Sequence, residues 1–286
     1  MSSTSTSTAA AGTSIGPGTV HVIGATGKTG RRVVDRLERA GIPVEGRSRR
    51  SQPPFDWQDR STWAPAIEGA SALYLTYVPD LAVDGAPEDV ADLVALARAA
   101  GVEHVVLLSG RGEANARRAE LVVEASGLAW TVVRASWFMQ NLSEGALLEG
   151  VLSGLVALPA GDVPEPFVDL EDVADVVVAA LTDPALRGRV HEVTGPASLT
   201  FAQAVAEIAA VTGREVTYLA MDPEDFREAV AAQAGADYAQ MLTDLCVEVF
   251  DGRNVHPVAG VQAALGRPPR SLEGFVRAEA AAGAWR

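Results

Sequence analysis

"GATGKTG", Gly24 to Gly30, decides the fold. It follows a short apolar run, "TVHVIG" (19–24), and opens "KTGRRVVDRLERAG" (28–41), where Val33, Val34, Leu37 and Ala40 share one helical face. Gly27-Lys28-Thr29 looks like the end of a triphosphate loop, but that loop needs a glycine five residues before the Gly-Lys pair. Val22 holds that position, inside the strand. Strand, turn and helix, with Gly24, Gly27 and Gly30 three apart, instead match a dinucleotide-binding turn. One glycine permits the turn, one lets the backbone approach a pyrophosphate, and one lets the helix pack closely. Thr26, Lys28 and Thr29 complete the predicted cradle, with the anion at the helix N-terminus.

The end of the second strand selects the dinucleotide. An NAD site places an acid about 20 residues beyond the glycines, against the ribose hydroxyl. Here the chain reads "EGRSRRS", with Arg47, Ser48, Arg49 and Arg50, and Glu45 as the only acidic competitor. Arginines around a hydroxyl suit a 2′-phosphate and predict NADP(H).

Downstream, β-branched runs alternate with amphipathic stretches: strands over 42–47, 71–79, 102–110, 129–136 and 189–196, with helices between them and a strand turning into a helix over 166–184. One doubly wound parallel α/β sheet accommodates them. After Pro196 the pattern becomes mainly helical. The predicted organisation is a tail over 1–18, a dinucleotide-binding domain over 19–196 and a smaller substrate lobe over 197–286.

With 286 residues and 48% hydrophobic content, the chain has ample material for a core. A net charge of −14 repels a phosphate backbone and argues against nucleic acid. The single cysteine, Cys246, lies in an apolar run and reads as core packing. The four histidines lack ligand spacing, so no metal is expected, and Asp172 reads as a helix cap with Asp175 in the first turn. No run of eighteen apolar residues predicts a membrane span. The Ser/Thr/Ala-rich opening lacks the form of a secretory signal and reads as a disordered tail, which predicts a cytoplasmic protein.

The chain resembles the NmrA-like branch of the atypical short-chain dehydrogenase/reductases, which includes quinone-reductase-like proteins. The resemblance rests on "GATGKTG", "GRSRR", "FDWQDRSTWAPAIEGASALYL" (55–75), "SGLAWTVVRASWFMQN" (126–141) and "FVDLEDVADVVVAAL" with "HEVTGPASLTFAQ". It implies a Rossmann domain that binds NADP(H) and a small lobe closing over substrate. It places Asp56 near the adenine; Thr76, Tyr77 and Val78 along the ribose and inner pyrophosphate; and Ser109 and Gly110 toward the nicotinamide ribose. Ala135 to Asn141 becomes the substrate floor, with Trp137, Phe138, Gln140 and Asn141 facing the substrate and Tyr238 reaching in from the lobe.

The sequence departs from the main reductases at their Tyr-x-x-x-Lys pair, which supplies a proton to the reduced carbonyl. Gly112 and Ala116 stand where that pair is expected, and the only lysine in the chain is Lys28. Tyr77 is the first candidate replacement acid and Tyr238, from the smaller lobe, the second, and Arg117 and Arg118 are either anchors or a solvated helix face. Quinones need less proton assistance because their reduction gives a stabilised anion. The expectation is an NADPH-dependent oxidoreductase acting on a quinone-like or conjugated aromatic acceptor. An NADP(H)-sensing regulator with a protein partner and a natural-product tailoring enzyme remain as alternatives, and a homodimer is left open.

Overall fold

The computed structural model describes residues 18–286, so the expectations for the opening tail, Gly18 apart, lie outside the described residues. In chain order the elements begin with β1 (Val20–Ile23), α1 (Lys28–Arg39), β2 (Val44–Arg47), α2 (Trp63–Ile67), β3 (Ala72–Leu75) and α3 (Ala86–Ala99). Next come β4 (His104–Gly110), α4 (Ala114–Glu124), β5 (Ala129–Ala135), α5 (Leu148–Ser153), β6 (Leu155–Leu158), α6 (Leu170–Thr182) and β7 (Arg189–Val193). The rest is α7 (Phe201–Thr212), β8 (Thr217–Ala220), α8 (Pro223–Ala234), α9 (Ala236–Val249), α10 (Gly260–Leu265) and α11 (Leu272–Ala282).

Six parallel strands form the main sheet in the order β2-β1-β3-β4-β5-β7. Helices α1 and α6 pack together on one face and α3 and α4 on the other, so the strands are buried on both sides and carry near-continuous apolar sequence. The chain reverses direction across the sheet between β1 and β3, and the register puts Ile23 beside Arg47 and Val22 beside Tyr74. That reversal opens a crevice at the carboxyl ends of β1 and β3, where doubly wound sheets bind ligands.

The second lobe draws on more chain than the 197–286 boundary allows. β6 pairs with β8 in a separate parallel sheet, and Leu142, Val151, Val156 and Leu158 share a core with Phe201, Phe250 and Phe275. Conversely, α10 packs back on α6 and β7. The expected strand at 166–169 reduces to a single bridge, Phe138 to Val168, too short to extend the main sheet. The cap of α6 is Asp169, which accepts from Glu171 N at 2.8 Å. Asp172 is instead buried in the first turn, where it pairs with Arg267 at 2.7 Å and with Arg270.

Gly24 has φ +82°, a conformation that side-chain-bearing residues rarely adopt. A Cβ on Gly30 would collide with the Gly24 carbonyl and lie 2.9 Å from Ala25 Cα. Both obstacles are backbone and cannot rotate away. Gly30→Ala is therefore expected to cost about 1–3 kcal/mol, the scale of an overpacked core, read as a lowered midpoint in denaturant unfolding. An unchanged midpoint would show that the turn yields freely.

Candidate cofactor and active site

The turn between β1 and α1 is tied down at its base. Gly24 N and Ala25 N donate to Arg47 O at 2.9 and 3.1 Å, and Gly27 N donates to Gly24 O at 2.9 Å. Gly27 caps α1 without a side-chain acceptor, so the first helical amides keep their donors for an anion. Thr76 closes the other side of the crevice: its hydroxyl donates to Ile23 O at 3.0 Å, and a Cβ on Gly24 would fall on its Oγ1. These glycines leave a cradle that side chains would fill, and a dinucleotide pyrophosphate fits it. Thr26 is exposed on the turn and Thr29 is buried beneath it.

Lys28 reaches across the crevice rather than toward solvent. Its ammonium donates to Asn141 Oδ1 at 2.6 Å, which joins the glycine turn to the expected substrate floor. Burial, with Arg31 and Arg32 adding like charge, lowers the lysine from its ordinary value.

At the adenosine end the predicted arginines divide. Arg47 is buried and its guanidinium is spent on Ala66 O (2.9 Å), Gln52 O and Glu45, so it is a structural tie and not a phosphate ligand. Arg49 and Arg50 are exposed and have no ion-pair partner among the described residues, while Ser48 accepts from Arg50 N at 3.2 Å. Asp56 organises the following turn: its Oδ1 accepts from Gln58 N at 3.1 Å and its carbonyl from Trp63 Nε1 at 2.8 Å. Trp57 then donates to Thr76 O at 2.9 Å, holding this turn against the end of β3.

Tyr77 packs on Trp57 at 4.6 Å and donates to Asp89 Oδ2 at 2.7 Å. Burial first, and the Asp89 carboxylate second, raise its hydroxyl well above the ordinary value, so its proton is held in the bond to Asp89. Val78 beside it is 57% exposed.

The end of β4, expected to face the nicotinamide ribose, is built over an internal charge lattice. Ser109 is buried and donates to Glu120 at 2.7 Å, so its hydroxyl is engaged by α4. Glu120, fully buried, also accepts from Arg134 Nε and Arg117 Nη1, each at 2.8 Å. Burial alone would raise this carboxyl, but the arginine and serine hydrogen bonds outweigh it and hold the group below its usual range. Arg134 and Arg111 converge on Glu192 at 3.1 and 2.6 Å. Arg117 also pairs with Glu124 and Arg118 with Glu88, so the first spans from the buried Glu120 to the surface and the second lies on the exposed face of α4.

On the expected floor, Gln140 is a correction. It is buried, donates to Asp169 at 2.7 Å and accepts from Leu170 N at 2.9 Å, so it fixes the start of α6. Phe138 packs on the α1/α6 face of the sheet. Trp137 meets the second lobe, 5.0 Å from Phe250 and 5.9 Å from Phe201, and its buried Nε1 has no partner. Tyr238 lies 40% exposed on α9. From the same helix Glu248 instead reaches the β4–α4 loop, accepting from Ala114 N at 2.9 Å. Cys246 is fully buried and its thiol is pushed up to about 12 by burial, as core packing requires.

Glu165 carried no motif that sequence reasoning could use. Its Oε1 accepts from Trp137 N at 3.2 Å, its Oε2 is buried without a partner, and burial raises the carboxyl to about 7. A cleft of about 440 Å³ opens nearby, between the chain after β7 and helices α7 and α11, with Met139 and Phe167 in its lining.

A family described as NAD(P)H-binding matches residues 24–184. The chain is 30% identical to the NAD(P)H azoreductase of Xenophilus azovorans, over 92% of this chain and 98% of the relative. It is 33% identical to the (4-alkanoyl-5-oxo-2,5-dihydrofuran-3-yl)methyl phosphate reductase of Streptomyces griseus, over 88% and 94%. An NADPH-dependent quinone oxidoreductase from Escherichia coli, solved with NADPH, has a like fold: TM-score 0.76 at 21% identity, covering 90% of this chain and 98% of that one.

Glu165 makes stability depend on pH. The folded state keeps its proton up to about 7, whereas the ordinary value is 4.5. Its stabilisation is complete below about 4.5 and is lost as pH rises through about 7. Each pKa unit corresponds to about 1.4 kcal/mol, so the whole effect is a few kcal/mol at most. Glu165→Gln is expected to flatten the fall in thermal stability across this window; a slope equal to wild type would assign the titration elsewhere.

Proposed function

The chain belongs to the NAD(P)H-binding family and is an NAD(P)H-dependent oxidoreductase, and on that premise we propose that it passes hydride from NADPH to a quinone-like or other conjugated aromatic acceptor. The observation that carries this reading is the aromatic wall that Trp137 presents, part-exposed where the second lobe meets the carboxyl edge of the sheet and backed by the buried rings of Phe201 and Phe250. Flat conjugated molecules stack on such walls. The azoreductase and the quinone oxidoreductase that the chain is similar to are both named for conjugated acceptors, which supports the same choice.

When bound, the nicotinamide cofactor supplies the hydride. The protein's part is to hold and orient. The uncapped amides of α1 seat the pyrophosphate, Thr76 to Val78 border the ribose, and the Lys28–Asn141 bond joins the cofactor turn to the substrate floor. Arg49 and Arg50 are the arginines left to meet a 2′-phosphate, now that Arg47 is committed.

Charge-assisted hydrogen bonds of this kind contribute about 1.5–3 kcal/mol each. The Arg49→Ala, Arg50→Ala double variant is therefore expected to weaken NADPH binding by about tenfold or more and leave NADH binding unchanged, by fluorescence titration. Equal losses for both cofactors would place the 2′-phosphate elsewhere. Turnover is tested by mixing the purified chain with NADPH and a panel of benzoquinones, naphthoquinones and azo dyes. Acceptor-dependent loss of NADPH absorbance is expected, and NADPH binding with no such loss on any acceptor would favour the sensing role instead.

A further inference from the structure

We propose that Glu113, whose carboxyl stands beside the position of the missing tyrosine, is the proton donor of this reductase. The proposal rests on the hydride-transfer reading above. Glu113 immediately follows Gly112, where the sequence places the absent tyrosine, and precedes α4. Its carboxyl lies directly over Gly110, the last residue of β4, so that a Cβ on Gly110 would fall on both oxygens. This is the strand end expected to face the nicotinamide ribose.

The carboxyl is built unlike its neighbours. Glu120, about two helical turns further on, is met by two arginines and a serine. Glu113 Oε2 is equally buried and has no partner. The groups that face it are acids: Asp80 from the loop after β3, Glu248 from α9 and Glu120 along its own helix. The nearby cations are already committed. Arg111 serves Glu192 and the His256 carbonyl, and Arg253 serves Asp251 and the Gly112 carbonyl. Burial first, then these three acids, push Glu113 well above the carboxylate range. A half-buried acid whose shielded Oε2 has no cation to answer it is held toward its protonated form, and a proton held there can be given to a reduced acceptor.

The chemistry balances. Hydride, with its electron pair, passes from NADPH to the acceptor; the anion formed on the acceptor takes the proton as the Glu113 O–H bond breaks. The carboxylate then regains a proton from water. One NADPH and one proton are consumed per acceptor reduced.

Glu113→Gln keeps the shape and removes the proton. With the azo dyes of the panel, whose reduced anions are more basic than a hydroquinone anion, kcat is expected to fall by about 10²-fold or more, with a smaller fall on quinones and with acceptor KM and NADPH affinity unchanged. The wild-type loss of kcat at high pH should be absent from this variant, and Glu248→Gln should move that limb to lower pH by removing a facing acid. Infrared difference spectra of the protein alone, without cofactor, should show a protonated-carboxyl C=O band that Glu113→Gln lacks. If the glutamine variant does not fold, Glu113→Asp provides the comparison: reduced kcat with the pH limb retained. Wild-type kcat and pH profile in Glu113→Gln, or a loss confined to Glu165→Gln, overturns the role of Glu113 and leaves the reductase reading standing. Absence of acceptor-dependent turnover in wild type overturns both.

Discussion

The contact between Gly30 and the Gly24 carbonyl is the constraint from which the site follows. Because neither residue carries a side chain, α1 starts in contact with the turn that ends β1. Its free amides then face the crevice opened by the reversal between β1 and β3. Moving the helix outward by the width of a methyl group would carry those donors, and Lys28 with them, away from Asn141. The tight turn thus sets the distance between the anion seat and the substrate floor.

Around this frame, charge is used in two ways. Arg32 and Arg36 lock α1 to α6 through Glu171 and Asp175, at 2.6 to 2.7 Å. Glu120 ties β4, β5 and α4 together. Such buried or half-buried pairs are costly to break from one side, about 3–5 kcal/mol, and they explain how a strongly acidic chain keeps its layers together. Glu113 and Glu165 are acids of the other sort, each buried with an unanswered oxygen. Paired acids hold position; unpaired acids hold protons.

How much of this could be read from sequence depends on the distance over which each residue's role is decided. The glycine turn, the parallel order of the main strands and the apolar faces of the helices follow from local pattern, and all were legible. β6 was not, since its four residues have meaning only through β8, far along the chain. The same holds for the polar residues. Ser109, Arg47 and Gln140 lie in the region the family pattern assigns them, but burial required each side chain to find a partner, and Glu120, Ala66 and Asp169 took them. Glu113 and Glu165 were silent for the complementary reason: nothing in a sequence marks a carboxylate for which no cation has been provided.

The loop between β4 and α4 has few polar groups left to itself. The Arg111 carbonyl accepts from Asn254 and the Gly112 carbonyl from Arg253, and the Ala114 amide is taken by Glu248. All three partners come from the second lobe. A displacement of that lobe would therefore strip the loop of its hydrogen bonds together and uncover the shielded Oε2 of Glu113. Acidity at the sheet edge is in this sense set from a distance: the side chains that hold the loop in place, and one of the acids that face Glu113, belong to the second lobe.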